Sequence, residues 1–260
     1  MVGANAGLLD PFPLWVLFPM TVVIAVVSVD LGFRLAHYRK PRTLDEPEAP
    51  PAGMVGATLA LLAFMLAFTF GLASTRFETR RQLVLTESNA IGTAYMRAAL
   101  LPDPPRTEAR TLLKEYVQVR IDGSHPEKFA DAITKSEELH NKLWALAVTL
   151  TEKERSAITS LFVQSVNQLV ELHSQRLNAS IRSRIPGAIW VVLYSLIILA
   201  MSAVGYQEGM ASKRRSLAVA MLILGFSAVL VLIADLDRPG QGYLQVNQES
   251  MNDLQKHMQN

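Results

Sequence analysis

The sequence contains no cysteine, so disulfides, thiolate nucleophiles and zinc–thiolate sites are excluded. It also lacks HEXXH, GXSXG, the Walker phosphate loop and the glycine pattern of dinucleotide folds. Those absences argue against the familiar hydrolase, ATPase and dehydrogenase designs. Charge is sparse: 18% of the 260 residues are Asp, Glu, Lys or Arg, against about 25% in an ordinary soluble chain. The net charge is only +2 and the basic residues do not gather into one patch. Nucleic acid is therefore not an expected partner. No Lys or Arg stands in the first segment, MVGANAGLLDPFP, whereas a secretory leader opens on a basic stretch. The apolar run that follows is read as a retained span.

What is present is long apolar sequence. Four runs stand out, at 14–36, 53–75, 186–206 and 216–234. Each is close to the ~20 residues that about 30 Å of hydrocarbon requires at 1.5 Å per helical residue. Trp15 suits a membrane interface, and the second run carries no charge at all. The expected class is an all-α, multi-pass integral membrane protein of a plasma or inner membrane, with the lipid bilayer as its first partner. The connection HYRKPRTLDEPEAPPAG is proline-rich and reads as irregular, and QEGMASKRR reads as a tight basic turn.

Residues 76–185 differ. Helical periodicity runs through them, broken at LPDPP, at DGSHP and near Thr151. Four helices are expected, at 76–101, 105–121, 126–149 and 152–185. Phe77, Arg81, Val84, Ser88, Ile91, Tyr95 and Ala98 share one face of the first. Phe129, Ala132, Ser136, Leu139, Leu143, Leu146 and Leu150 do so in the third, and Ile158, Phe162, Ser165, Leu169, Leu172 and Arg176 in the fourth. Thr151 with Glu154 has the spacing of a capping box for that last helix. Seams of this kind bury themselves against one another, so a helical bundle is expected between the second and third spans. The expected division is 1–75, 76–185, 186–235 and a tail at 236–260. Neither Gly nor Pro separates Thr75 from Phe77, so the second span is expected to continue as one helix from about residue 53 to 101.

Short-loop charge sets an expected orientation. Arg34, Arg39, Lys40 and Arg42 follow the first span, and Lys213, Arg214 and Arg215 follow the third. The rule puts both short loops in the cytoplasm, with the termini and the bundle outside. Arg76, Arg80, Arg81, Arg176, Arg182 and Arg184 flank the bundle near the membrane as well.

Several residues are candidates for function, each with an ordinary structural alternative. Asp30 lies within a span, where an ionisable group is costly; the ordinary reading is an i,i+4 ion pair with Arg34. Ala63, Ala67, Gly71 and Thr75 recur at i+4 and suit close helix approach. The ordinary reading is packing against another span of the same chain, and the alternative is a subunit contact. Phe64 and Phe68 lie on a neighbouring face that suits lipid or an apolar constriction in a pore. Arg76 and Arg80 sit where the helix leaves the membrane, as headgroup anchors or as charges at a conduction mouth. Glu87, Asn89, His140 and His173 are candidate buried polar groups, read as interhelix hydrogen bonding before any metal site. Asp235 and Asp237 offer carboxylates to a cation, unless Arg238 neutralises them. No cofactor and no resident metal is expected.

Several stretches carry a resemblance when taken in order: AFTFGLASTRFETRR, ESNAIGTAY followed by LLP, LHNKLWALA, LHSQR, and DLDRP with GYLQV. Over roughly residues 55–255 the chain resembles the bestrophin-like domain family, membrane proteins distantly similar to bestrophins. That resemblance implies an oligomeric anion channel with four spans per subunit and helices between the second and third. It also implies a cytosolic inter-span domain, opposite to the short-loop charges. No site residue is carried over from it. The leading expectation is a homo-oligomeric, ion-conducting protein, with inorganic anions as the conducted species. The rival is a non-enzymatic membrane sensor or scaffold, and an enzyme comes third.

Overall fold

The structure is a computed structural model that describes residues 7–39, 52–211, 216–240 and 242–259. Its regular elements are all helical: α1 (Leu14–Arg39), α2 (Ala52–Ala98), α3 (Pro105–Asp122), α4 (Phe129–Lys153), α5 (Ala157–Leu177), α6 (Gly187–Met210), α7 (Leu217–Asp237) and α8 (Glu249–Gln259). A 3-10 turn at Pro126–Lys128 leads into α4, and a π turn at Asn178–Arg182 follows α5. Helices α1, α2, α6 and α7 are each long and apolar enough to cross a membrane. Most of the two basic loops, at 40–51 and 212–215, lies outside the described residues.

The chain divides into two compact units, residues 1–75 with 184–238 and residues 76–183 with 239–260. At 47 residues, α2 is more than twice the length a span requires and contributes to both. No helix breaker interrupts it around Arg76, which is why it does not end at the apolar boundary.

In the membrane unit α1 packs along α6 at backbone distance. A Cβ placed on Gly32 would land on the Ser202 carbonyl oxygen, and one on Gly205 would land on that of Val29. One on Gly209 would lie 2.7 Å from the Ala36 Cβ. Lacking side chains, these glycines let the backbones touch, as close crossings in membranes require. Thr21 and Tyr194 join their hydroxyls at 3.2 Å across the same pair.

This corrects the expectation for the small-residue stripe on α2. Ala63, Ala67, Gly71 and Thr75 are all exposed, and a Cβ on Gly71 would meet nothing within 4 Å. The buried face of that segment is Val55, Leu62, Leu66, Thr69 and Ala73. The stripe does not pack against another span of its own chain.

The second unit is a helical bundle that also takes in residues 239–260, and its core joins Ile91 and Ala94 of α2 to Leu113 and Tyr116 of α3, Leu139 and Leu143 of α4, and Phe162 and Leu169 of α5. Burying such a side chain contributes roughly 2 kcal/mol. Pro105 at the first turn of α3 costs no hydrogen bond. The capping expectation fails by five residues. Thr151 lies inside α4 and its hydroxyl donates back to the Ala147 carbonyl at 2.8 Å. The cap is Ser156, whose hydroxyl accepts from the Thr159 amide at 3.2 Å. Helix α5 therefore starts at Ala157 rather than 152, and leaves the α-helical path at Asn178.

The tail holds a helix that periodicity did not announce. Along α8, Met251 and Met258 are buried seven residues apart, on one face. Its backbone carbonyls accept from the Ser88 hydroxyl at Ser250, 2.8 Å, and from the Tyr95 hydroxyl at Met258, 3.2 Å.

Candidate functional site

The bundle core contains one polar cluster, assembled from four helices. Glu87 of α2 is its centre, with no solvent exposure. Its carboxylate accepts from the Tyr116 hydroxyl at 2.7 Å and from Arg120 Nε at 3.4 Å, both on α3, with Arg120 Nε 3.1 Å from the nearer oxygen. Arg176 of α5 donates to its second oxygen. Tyr116 and Arg120 reach the same carboxylate because they stand four residues apart, on one helix face. His140 of α4 lies beside Tyr116 with ring centroids 4.9 Å apart, and His173 of α5 meets His140 edge to face at 5.0 Å.

Burial alone would raise the pKa of Glu87, but the Arg176 and Arg120 guanidiniums outweigh it and hold the carboxyl at about 2. The histidines go the other way. Burial, with Arg120 nearby, lowers His140 to about 4. Burial, Arg120 and the neighbouring His140 ring lower His173 to about 3. Both rings are neutral at ordinary pH. The Tyr116 phenol is pushed well above its usual value by burial and by Glu87. Ring atoms His140 Nε2, His173 Nδ1 and His173 Nε2 are buried without a hydrogen-bond partner.

A second network lies in the membrane unit. Arg184, just before α6, pairs with Asp10 at 2.6 Å and donates to the Asp237 carbonyl. Asp237 in turn accepts the Ile185 amide at 2.9 Å. Arg238 donates to the carbonyls of Leu9 and Phe12, the latter at 2.7 Å, while its Nε lies 3.8 Å from Asp10. The cationic partner of this carboxylate set is thus a pair of arginines. Among the described residues no group of three or more His, Asp or Glu is placed to hold a metal ion.

The structure sorts the sequence candidates. It brings Glu87, His140 and His173 together. Asn89 is corrected: it is exposed, because two residues beyond Glu87 the helix has turned about 200°. Asp30 is half-buried rather than enclosed and pairs with Arg34 at 2.6 Å, the ordinary reading. Phe64 and Phe68 are 66% and 57% exposed beside exposed Ala67 and Gly71. Arg76 is half-buried, and Arg80 is buried with its guanidinium 6.0 Å from the centre of the Phe77 ring. Sequence reasoning missed Tyr116 and Arg120, and named Arg176 without its partner. The available signal was an arginine standing in register with the apolar seam of Leu112, Leu113, Tyr116 and Val117.

None of the curated proteins compared matches the chain. Solved structures do match in fold. A membrane protein carrying one substitution superposes with a TM-score of 0.66 at 12% identity, over 94% of this chain and 97% of that one. Two single-substitution forms of a bacterial bestrophin homologue from Klebsiella pneumoniae give TM-scores of 0.64 and 0.61, at 12% and 14% identity. They cover 94% of this chain in both cases, and 97% and 96% of their own. The profile of the bestrophin-like domain matches residues 21–251, most of the sequence. The chain is a membrane protein of the bestrophin-like family.

Proposed function

We propose that the protein is a homo-oligomeric anion channel and not an enzyme. The observation that carries this reading is the family match across residues 21–251, which takes in most of the first span, the other three spans and helices α3 to α5 of the bundle. The outward face of α2 is the surface that copies share around the path, with Phe64 and Phe68 as an apolar constriction and Ala67 and Gly71 allowing close approach. Arg76 and Arg80 supply positive potential where the helix leaves the membrane.

The test is halide flux into liposomes containing the purified protein. Flux that is selective for halide over gluconate supports the channel, and Phe64→Ala with Phe68→Ala should change its rate or selectivity. Silence across pH, calcium and voltage would overturn the reading in favour of a membrane sensor or scaffold.

A further inference from the structure

Among the described residues, the bundle cluster holds a charge that nothing else in it balances. Two guanidiniums, Arg120 and Arg176, share one carboxylate, Glu87, in a core where Glu87 is fully buried and Arg120 nearly so. The other titratable groups facing them are Tyr116, His140 and His173, all neutral at ordinary pH. An unbalanced buried cation is costly, far more so than a paired one. The second irregularity is His173, 4% exposed, with both ring nitrogens buried and unpartnered. In either tautomer one of those nitrogens carries a proton that needs an acceptor. The existing acceptor, Glu87, is already engaged by Tyr116, Arg120 and Arg176.

We propose that Arg120, Arg176 and His173 form a buried site for one small monovalent anion in the core of the second unit. A water molecule would satisfy the imidazole N–H but leave the surplus charge. A monovalent anion does both: it accepts from the ring and balances the second guanidinium. A dianion would overcorrect the charge by one. A halide, or a small oxyanion such as nitrate, fits that requirement. Arg176, with its side chain 15% exposed, is the member nearest to solvent and marks the side of entry. Such a site is separate from a conduction path along α2 and does not depend on the channel reading.

The experiment uses the full chain in detergent. Crystals grown with bromide in place of chloride should show an anomalous peak between His173 and the two guanidiniums. The thermal midpoint should rise with the logarithm of bromide concentration, relative to gluconate at equal ionic strength. His173→Leu removes the donor at similar volume, and Arg176→Gln removes the surplus charge; each should weaken that halide dependence at least tenfold in concentration. A bromide response that persists in both variants, or the absence of a peak at the cluster, overturns the proposal. Persistence would place the anion elsewhere and leave the channel reading untouched, whereas loss of flux with the peak intact would do the reverse.

Discussion

Acidification should loosen the bundle before it affects Glu87, and the cause is the histidine pair. His140 and His173 have ordinary pKa values of 6.5 and are lowered to about 4 and about 3 in the folded chain. Between pH 6.5 and about 4 the unfolded chain therefore binds protons that the folded chain refuses. Stability is full above 6.5 and falls as pH drops through that window. Each tenfold change in proton affinity corresponds to about 1.36 kcal/mol. The two groups together then lose on the order of 6 kcal/mol by pH 4, a large part of the roughly 5–15 kcal/mol that holds a domain together. Glu87, held at about 2 against an ordinary 4.5, adds a further loss of the same sign, but only below about pH 4.5.

The measurement is hydrogen–deuterium exchange of α3, α4 and α5 in detergent and gluconate buffer, stepped from pH 7.5 to 4.5 with intrinsic exchange rates corrected for pH. Protection should fall steadily below pH 6.5 in the natural sequence. The double replacement His140→Leu with His173→Leu should flatten that dependence. His37, His125 and His257 lie outside the cluster and remain in both proteins as internal controls. A flat profile in the natural sequence, or an equal slope in the double variant, refutes the reasoning.

Glu87→Gln leaves two buried guanidiniums without a carboxylate and should cost about 3–5 kcal/mol, read as a drop in the bundle's denaturation midpoint. Gly205→Leu should prevent α1 and α6 from meeting and abolish folded material on size-exclusion chromatography. Gly71→Leu, on an open face, should leave the monomer's unfolding free energy within about 0.5 kcal/mol of natural while shifting the assembled species toward monomer. An unchanged oligomer would remove that face from the subunit contact. The short-loop charge rule predicts that Thr43→Cys and Ser212→Cys are shielded from an impermeant thiol reagent in intact cells while Ser124→Cys is labelled. The reverse pattern would place the bundle in the cytosol.

Much of the architecture could be read from spacing, and the misreadings have specific causes. The seam from Ala132 to Leu150 repeats often enough that only one helix phase fits it, and those residues are buried. A threonine before an acidic residue is ambiguous. Thr151 can cap a new helix or bond back within an old one, and only the competing Ser156 decided which. Small residues show where a backbone can be approached, but not by which helix. Gly205 and Gly209 carried the same signal as the stripe on α2, and they are the pair that is occupied. Glu87 is a candidate buried polar group in the sequence, read as interhelix hydrogen bonding. Its pairing with Arg120 and Arg176 is not legible there, since an arginine in register with an apolar seam does not say which carboxylate on another helix it meets. The tail helix escaped because α8 buries only two methionines over eleven residues.

The two polar networks solve the same problem with different described partners. Without cysteine, each joins distant segments of chain through guanidinium and carboxylate, a pairing whose fixed geometry suits several acceptors at once. In the membrane unit, among the described residues, Asp10, Asp235 and Asp237 face Arg184 and Arg238. Arg238 also takes up two backbone carbonyls, which is work that a bound cation would otherwise do. In the bundle the guanidiniums outnumber the carboxylate, and two imidazoles stand by without acceptors. Of the two, only the bundle cluster has both the surplus positive charge and the free donors that an anion needs. A bromide peak at Arg238 instead of His173 would contradict this reasoning from charge and donors, because the local carboxylates would repel it.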